Sequence, residues 1–248
     1  MLFILRQLRR LELHKRSGRY FVYAIGEVIL VVIGILIALQ INNWAEAKKA
    51  REFEVKMLVE IKKALEQDYI FWADHISARV NITKDALAYF ENYLRTGEIE
   101  MEAASSHFRD FRAYWRGEFI TGPWEALKST GLDKVSSDEL RSRLVYHYDF
   151  FCPRQIKLTN AFIDGRRNEY FEVESKLIGS PLVSLEKDHL AFSGPFLVTL
   201  DLKSNPDFAE ALNIMWKQVN FSEREIEESV TEIRKMIELI EEEIRDEI

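Results

Sequence analysis

The dominant hydrophobic pattern of this chain is an almost uninterrupted apolar run near its N-terminus. Residues 20–41 read YFVYAIGEVILVVIGILIALQI, and Glu27 is the single charged side chain among them. At about 1.5 Å per residue, roughly 20 apolar residues span a hydrocarbon layer about 30 Å thick. The run therefore predicts a transmembrane helix. Its length favours an uncleaved anchor over a signal peptide, whose apolar stretch has about 7–15 residues.

Positive charges are more frequent before this run than after it. Six basic residues precede it within residues 1–19, and a sparser set of four follows it within residues 48–56. Because basic loops remain on the cytoplasmic side of a membrane, we expect a cytoplasmic tail (1–19), a transmembrane anchor (20–43) and an extracytoplasmic domain (44–248). The tail is either a short helix lying on the inner leaflet or a disordered basic segment.

Beyond the anchor the pattern changes to one apolar face of a long helix. No glycine or proline occurs between Gly34 and Gly97. Apolar residues recur at steps of three, four, seven and eleven at Val55, Leu58, Leu65, Tyr69, Trp72, Ile76, Leu87, Phe90 and Leu94. This period indicates that the anchor continues into a long stalk helix, which Gly97 ends as a C-cap.

The rest of the chain reads as further helices with one irregular segment. We predict helices over 103–115, from Pro123 to Gly131, over 139–151 with a serine cap at Ser136 or Ser137, and over 154–177. Residues 179–204 hold four Gly or Pro residues and predict a short hairpin or an irregular loop. Asn205 opens another helix to about residue 219, and Ser222 and Glu225 form a capping box for the last one. The predicted fold class is all-α: a transmembrane helix, a stalk helix and a helical bundle.

The last helix carries a heptad seam. Apolar residues at steps of four and three form it: Ile226, Val230, Ile233, Ile237, Ile240 and Ile244. Such a seam packs either on the stalk of the same chain or on a neighbouring copy.

Composition and charge narrow the function classes. The formal net charge is −7, which argues against nucleic acid as the main partner because phosphate binding needs a basic surface. Cys152 is the single cysteine, so an internal disulfide is impossible. It is either a buried apolar residue or the site of an intermolecular disulfide.

The anchor also carries a family resemblance. The run YAIGEVILVVIGILIALQINNW (23–44) resembles the signature of an uncharacterised family of single-pass bacterial membrane proteins that is abundant in Bacteroidota. A looser similarity continues at WEALKSTG (124–131), at Glu139–Arg141, and at Tyr146 and Tyr148. The resemblance implies an inner-membrane location and a helical periplasmic domain. It implies no activity and no catalytic residues.

Glu27 is the residue of the anchor that most needs an explanation. A carboxylate within hydrocarbon costs several kcal/mol unless it is protonated, paired or facing water. At 100° per residue Glu27 and Gly34 share one helix face, and Gly34 and Ala38 form a small-xxx-small pair that lets helices approach closely. We therefore expect Glu27, Gly34 and Ala38 to pack between helices of a homo-oligomer. The alternatives are that Glu27 extends toward the headgroups or lies on an ion path.

Aromatic residues bracket the anchor and recur in one stretch of the outer domain. Tyr20, Tyr23 and Trp44 are typical of interface anchors in a lipid bilayer. Within residues 108–124, six aromatic residues are interleaved with three arginines. Such a stretch predicts either a bundle core with arginines on its wet side or a surface for a glycan, an anionic ligand or a periplasmic protein partner. The residues of that candidate surface are Arg112, Trp115, Arg116, Trp124 and Lys128.

The sequence contains no recognisable catalytic motif. The five histidines are scattered, no C-x-x-C pair is present, and no nucleophile elbow, phosphate loop or dinucleotide-binding glycine pattern occurs. We therefore expect no catalytic residue, no metal and no cofactor. The function that the sequence favours is a membrane-anchored, non-enzymatic binding, sensing or scaffolding module. The alternative is an oligomeric pore or accessory channel subunit with Glu27 facing the interior.

Overall fold

The computed structural model describes residues 2–179, 182–186, 189–193, 197–199 and 201–245. The side chains of residues 2–24 and of most of 182–193 lie outside the described set. The protein is 84% helical, which confirms the predicted all-α class. Among the described residues the strands form a single two-stranded antiparallel sheet.

The described elements follow one another in chain order. The helices are α1 (Leu2–Ile70), α2 (Ser77–Thr96), α3 (Met101–Asp110), α4 (Gly122–Thr130), α5 (Asp138–Val145), α6 (Cys152–Leu177) and α7 (Pro206–Ile244). Two π-helical segments interrupt this order: the first π segment (Phe71–Ile76) and the second π segment (Tyr146–Phe151). A 3₁₀ turn covers Leu132–Lys134, and the hairpin strands are β1 (Leu182–Glu186) and β2 (His189–Ser193).

The chain divides into two compact units, Met1–Glu54 and Val55–Ile248. One helical stretch among the described residues, Ile25–Thr96, is long and apolar enough to cross a membrane. Its most apolar window of 18 residues has a mean hydropathy of 2.3, and none of that window is buried inside the protein. The divisions at residues 19 and 43 remain predictions.

The core of the second unit forms where α7 packs against α6, α2, α5 and the first π segment. Ile233, Ile240 and Ile244 of the heptad seam are at most 1% exposed. Ile226, Val230 and Ile237 are half-buried, so the seam packs within its own chain only in part. At the far end of α2, rings from four elements pack together, with Phe90 lying 4.9 Å from Phe108 and 5.4 Å from Phe208 between ring centroids.

Several helix ends follow the predicted cap chemistry. Gly97 ends α2 in the left-handed conformation (φ 82°), and its N–H donates to Tyr93 O at 2.8 Å. The side chain of Ser137 accepts from Leu140 N at 3.2 Å and so caps α5. These caps, the start of α4 around Pro123 and the hairpin within 179–204 are confirmed.

The capping box at Ser222 was a wrong prediction. α7 runs through this position without a break, and Ser222 is 0% exposed. Its hydroxyl donates to Gln218 O at 2.7 Å, as a mid-helix serine does when it bonds the preceding turn. Because no glycine or proline lies between residues 207 and 244, nothing in the backbone ends the helix there.

The break predicted between the helices over 139–151 and 154–177 is also absent. The chain stays helical from α5 through the second π segment into α6, and Pro153 lies in the first turn of α6. A proline inside a helix clashes with the carbonyl four residues earlier. Here that carbonyl belongs to the second π segment, whose wider turn accommodates the proline ring.

The helix predicted over 103–115 is shorter than expected. α3 ends at Asp110, and residues 111–121, called the connector below, are irregular. Phe111 and Trp115 of the connector are buried, and side chains from other elements bond its backbone. Tertiary contacts therefore replace the helical hydrogen bonds that local propensity favours.

Candidate functional site

A cleft in the described part of the second unit has a volume of about 740 Å³. Three parts of the chain form it: residues 71–82, which include the first π segment and the start of α2, the connector, and the middle of α6. The lining residues from the first of these are Phe71, His75, Ile76, Ala78, Arg79 and Ile82. The connector contributes Tyr114, Trp115, Arg116 and Glu118, and α6 contributes Ile163, Asp164 and Arg167.

Stacked aromatic rings support the connector side of the cleft. Trp72 is 0% exposed, stacks on Phe119 with 5.2 Å between centroids, and meets Trp115 edge to face at 5.8 Å. Trp72 Nε1 donates to Glu118 O at 3.1 Å, and Trp115 Nε1 donates to Ser222 Oγ at 3.1 Å. Both buried indole N–H groups are therefore bonded, as buried tryptophans require.

Side chains on both sides fix the backbone of the connector. Asn160 of α6 bonds both polar groups of Gly117: its Oδ1 accepts from Gly117 N at 2.9 Å, and its Nδ2 donates to Gly117 O at 3.3 Å. At the end of α1, the Asp68 carboxylate accepts from Ile120 N at 3.0 and 3.2 Å. The connector is thus an irregular segment whose position is set by its neighbours.

Gly117 is required by the close approach of two side chains. A Cβ at this position would lie 2.8 Å from Thr159 Oγ1 and 2.9 Å from Trp72 Cη2. Real Cβ atoms essentially never come this close to a neighbour. Any side chain here would push the connector away from Trp72, which supports it.

The charges of the cleft are only partly compensated. Arg116 Nη2 lies 2.7 and 2.8 Å from the two oxygens of Asp164, and Arg167 Nη2 lies 3.3 Å from the same carboxylate. Two arginines therefore share one acid. Within the described part of the chain, neither His75 nor Arg79 has a hydrogen-bond or ion-pair partner, and both side chains are exposed.

The structure brings together two of the five residues predicted as a ligand surface. Trp115 and Arg116 line the cleft. Arg112 precedes Trp115 by three residues in the connector and is engaged elsewhere: its guanidinium donates to both oxygens of the buried Glu174 at 2.7–3.0 Å. This pairing raises the pKa of Arg112.

Trp124 and Lys128 lie outside the cleft, around Asp149. Trp124 is 1% exposed and stacks on Tyr148 with 5.3 Å between centroids. Its Nε1 donates to Asp149 Oδ1 at 3.1 Å, and Lys128 Nζ donates to the same carboxylate at 2.9 and 3.0 Å. The hydrogen bond from Lys128, followed by that from Trp124, lowers the pKa of Asp149. Trp124 is therefore a core residue with its polar edge satisfied.

Sequence reasoning missed His75, Arg79, Asp164 and Arg167. A signal for the first two was present, because they lie four residues apart on the stalk and follow Phe71 at the same spacing. Residues three or four apart share a helix face. No local pattern could pair them with α6, which lies about ninety residues further along the chain.

The residues singled out in the anchor lie on an uncovered helix. Glu27, Gly34 and Ala38 are exposed, and a Cβ added at Gly34 would meet no atom within 4 Å. Trp44 is 68% exposed, with Lys48 Nζ 5.9 Å from its ring centroid. The side chains of Tyr20 and Tyr23 lie outside the described residues, so their predicted role at the interface stays a prediction.

A group of titratable side chains is buried at the second π segment and the end of α1. Asp68 is 2% exposed, and burial, with a smaller contribution from the charge of Glu118, raises its pKa to about 7. Burial also raises the pKa of Tyr148 and of Cys152, and in both the charge of Asp68 is the second cause. Among the described residues, no group of three or more His, Cys, Asp or Glu side chains is placed to hold a metal ion.

Residues 27–99 match the model of a family of unknown function (DUF6090). The match covers less than a third of the chain and includes Glu27, Gly34 and Ala38 as well as His75 and Arg79 of the cleft. It agrees with the expected resemblance to an uncharacterised family. No curated protein and no solved structure matches the chain.

Proposed function

We propose that this chain is a membrane-anchored, non-enzymatic binding module and that the cleft is its recognition site. The observation that carries the proposal is the cleft itself. Its volume of about 740 Å³ lies in the range of small-molecule sites, about 300–1,000 Å³. Aromatic and aliphatic side chains supply most of its lining, and a few charged groups converge on it, which is the usual composition of such sites.

The cleft is also held in shape before any ligand binds. Backbone N–H groups of the connector donate to Asp68 and Asn160, which fixes its position, and the stacked rings of Trp72 and Phe119 support it. A site that needs no ordering on binding loses less free energy to conformational entropy. This rigidity favours recognition of a small molecule over a role as a passive spacer.

The anchor places this module at a membrane in our proposal. The apolar window within Ile25–Thr96 supports a membrane location, and the excess of basic residues before it supports a cytoplasmic N-terminus. The second unit then lies in the periplasm of a bacterial inner membrane. Copies of the chain associate through the anchor face that carries Glu27, Gly34 and Ala38.

Cysteine protection tests the binding site in the full-length protein. Ala78 lines the cleft and is exposed, so Ala78→Cys introduces a thiol that iodoacetamide can alkylate. The alkylation rate is measured from the intact mass of the protein in nanodiscs. Native Cys152 is 1% exposed, and burial raises its pKa, so it contributes little background. We expect millimolar 1-naphthamide, an uncharged bicyclic aromatic probe, to slow alkylation of the new cysteine at least about threefold, since such a pocket buries most of a bound ligand against its walls.

The matched control is Ala209→Cys, an exposed position on α7 away from the cleft. Its alkylation rate should not change with 1-naphthamide. No slowing at Ala78→Cys by 1-naphthamide or by its anionic analogue 1-naphthoate, or equal slowing at both positions, would overturn the cleft as a binding site.

A further inference from the structure

We infer that the ligand of the cleft is a small organic anion whose acidic group pairs with Arg79. This inference rests on the proposed function of the cleft and specifies the chemical class of its ligand. It follows from the placement of the charges that remain once the internal ion pairs are counted.

The carboxylate of Asp164 already has two cationic partners. Arg116 Nη2 contacts both of its oxygens at 2.7 and 2.8 Å, and Arg167 Nη2 lies at 3.3 Å. Three charged side chains with a net charge of +1 therefore lie on the side of the cleft where α6 meets the connector. Asp164 neutralises one of the two arginine charges, and one positive charge remains.

Arg79 adds a second positive charge from the opposite side. It has no hydrogen-bond or ion-pair partner within the described part of the chain, so its five N–H donors are available to a ligand. His75 precedes it by four residues and therefore lies on the same face of the helix. Together they present donors beside the aliphatic side chains of Ile82 and Ile163.

Glu118 is the one carboxylate of the cleft that opposes an anion. Its charge acts on Asp68, whose pKa it helps to raise. The three arginines outnumber Glu118 and Asp164, so the cleft keeps a net charge of +1 with His75 neutral. A cleft lined by an excess of one sign of charge attracts the opposite sign, so this excess favours an anion over a cation.

A pair of probes that differ only in charge tests the inference. 1-Naphthoate and 1-naphthamide share one aromatic body, and only the first is an anion at pH 7.5. The readout is the probe concentration that halves the alkylation rate of Ala78→Cys in the full chain. We expect 1-naphthoate to protect at a concentration about five- to tenfold below that of 1-naphthamide, as charge-assisted pairing with a guanidinium predicts.

Three variants in the Ala78→Cys background locate the charge. Arg79→Gln should abolish the advantage of 1-naphthoate and leave protection by 1-naphthamide unchanged. Arg95→Gln removes one positive charge from the same helix at an exposed position and should preserve the advantage. Glu118→Gln should increase it, because a repelling charge is removed.

The outcomes separate the inference from the function on which it rests. If neither probe protects, the cleft is not a binding site and both fail. If both probes protect equally, or if Arg79→Gln leaves the advantage of 1-naphthoate intact, binding stands and the assignment to Arg79 is overturned.

Discussion

Asp68 lies in the last turn of α1 with 2% of its surface exposed, and replacing it should change how stability depends on pH. Its carboxylate accepts from Ile120 N, and Glu118, Tyr148 and Cys152 are the titratable groups that interact with it. None of them carries a positive charge. The pKa of Asp68 is accordingly raised from 3.8 to about 7, with burial as the largest cause.

The sign of the effect follows from this direction. The native protein holds the proton of Asp68 more tightly than the unfolded chain does, so this group favours folding most below pH 3.8 and loses its contribution as pH rises to about 7. Each unit of difference between the two pKa values is worth about 1.4 kcal/mol, so the ionised carboxylate costs the folded state about 4 kcal/mol above pH 8 as an upper estimate.

Asp68→Asn removes the ionisation and keeps an oxygen that accepts from Ile120 N. We expect the variant to exceed the wild type in stability by about 2–4 kcal/mol at pH 8 and by about 1–2 kcal/mol at pH 5, where the unfolded carboxyl is already ionised. For a unit of this size the difference corresponds to a rise in Tm on the order of 5–10 °C at pH 8. Tryptophan fluorescence during heating of the full chain in nanodiscs, at pH 5, 6, 7 and 8, measures it.

Asp85→Asn is the matched control, because Asp85 is exposed on α2 and has no partner among the described residues. It should follow the wild-type curve at every pH. A second variant, Glu118→Gln, should reduce the pH dependence without abolishing it, since the charge of Glu118 contributes to the raised pKa of Asp68. The test is whether the Tm difference between Asp68→Asn and the wild type grows from pH 5 to pH 8. If it does not grow, ionisation of the buried Asp68 does not cost the folded state free energy, and the reasoning is wrong.

Three further predictions follow from single contacts. Gly117→Ala should lower stability by about 1–3 kcal/mol in thermal unfolding, because its Cβ would overlap Trp72. Glu27→Ala should dissociate the oligomer in nanodiscs, measured by native mass, if this carboxylate packs between helices. Lys128→Met should return the pKa of Asp149 toward its usual range in an NMR titration. Because Lys128 lowers that pKa, the ion pair stabilises the wild type above the pKa of Asp149, and this stability is lost as pH falls through it. The stability of Lys128→Met should not show this decrease.

Each of these changes has a neighbour that serves as its control. Gly122→Ala adds a Cβ that meets nothing within 4 Å and should leave Tm unchanged. Glu46→Ala removes an exposed carboxylate beyond the apolar run and should leave the native mass unchanged. Lys134→Met should not move the pKa of Asp149, because Lys134 pairs with Asp133 instead. If a control variant has the same effect as its test variant, the effect does not come from the named contact.

The sequence was sufficient for the helical scaffold because the signals for it are local. Gly97 and Ser137 act at the helix ends where the sequence predicts them, since left-handed glycines and serine caps depend on neighbouring residues alone. Ser222 looks the same locally and has a different role. Its hydroxyl serves Trp115, a residue more than a hundred positions away, so only the tertiary structure reveals it.

The connector shows why the candidate site was only half predictable. Its aromatic and basic composition is visible in the sequence and correctly draws attention to Trp115 and Arg116. Whether a given aromatic side chain is core or surface depends on contacts with the end of α1 and with α6. Asn160 and Asp68 provide those contacts, and neither belongs to a pattern that sequence periodicity detects.

The two π segments are visible in the spacing of buried residues, and both lie beside the candidate site. A regular α-helix has 3.6 residues per turn, so three consecutive steps of four advance the buried face by about one extra residue, the insertion that a π segment accommodates. One such run is Asp68, Trp72, Ile76 and Val80, and another is Leu140, Leu144, Tyr148 and Cys152. Both insertions meet at one ring of the connector: Phe119 stacks on Trp72 of the first π segment and packs edge to face against His147 and Phe151 of the second. A regular helical pattern therefore predicts the bundle, while its two interruptions mark the place where the bundle holds an irregular segment and forms a cleft. Departures from local rules that the fold retains are expected at functional sites.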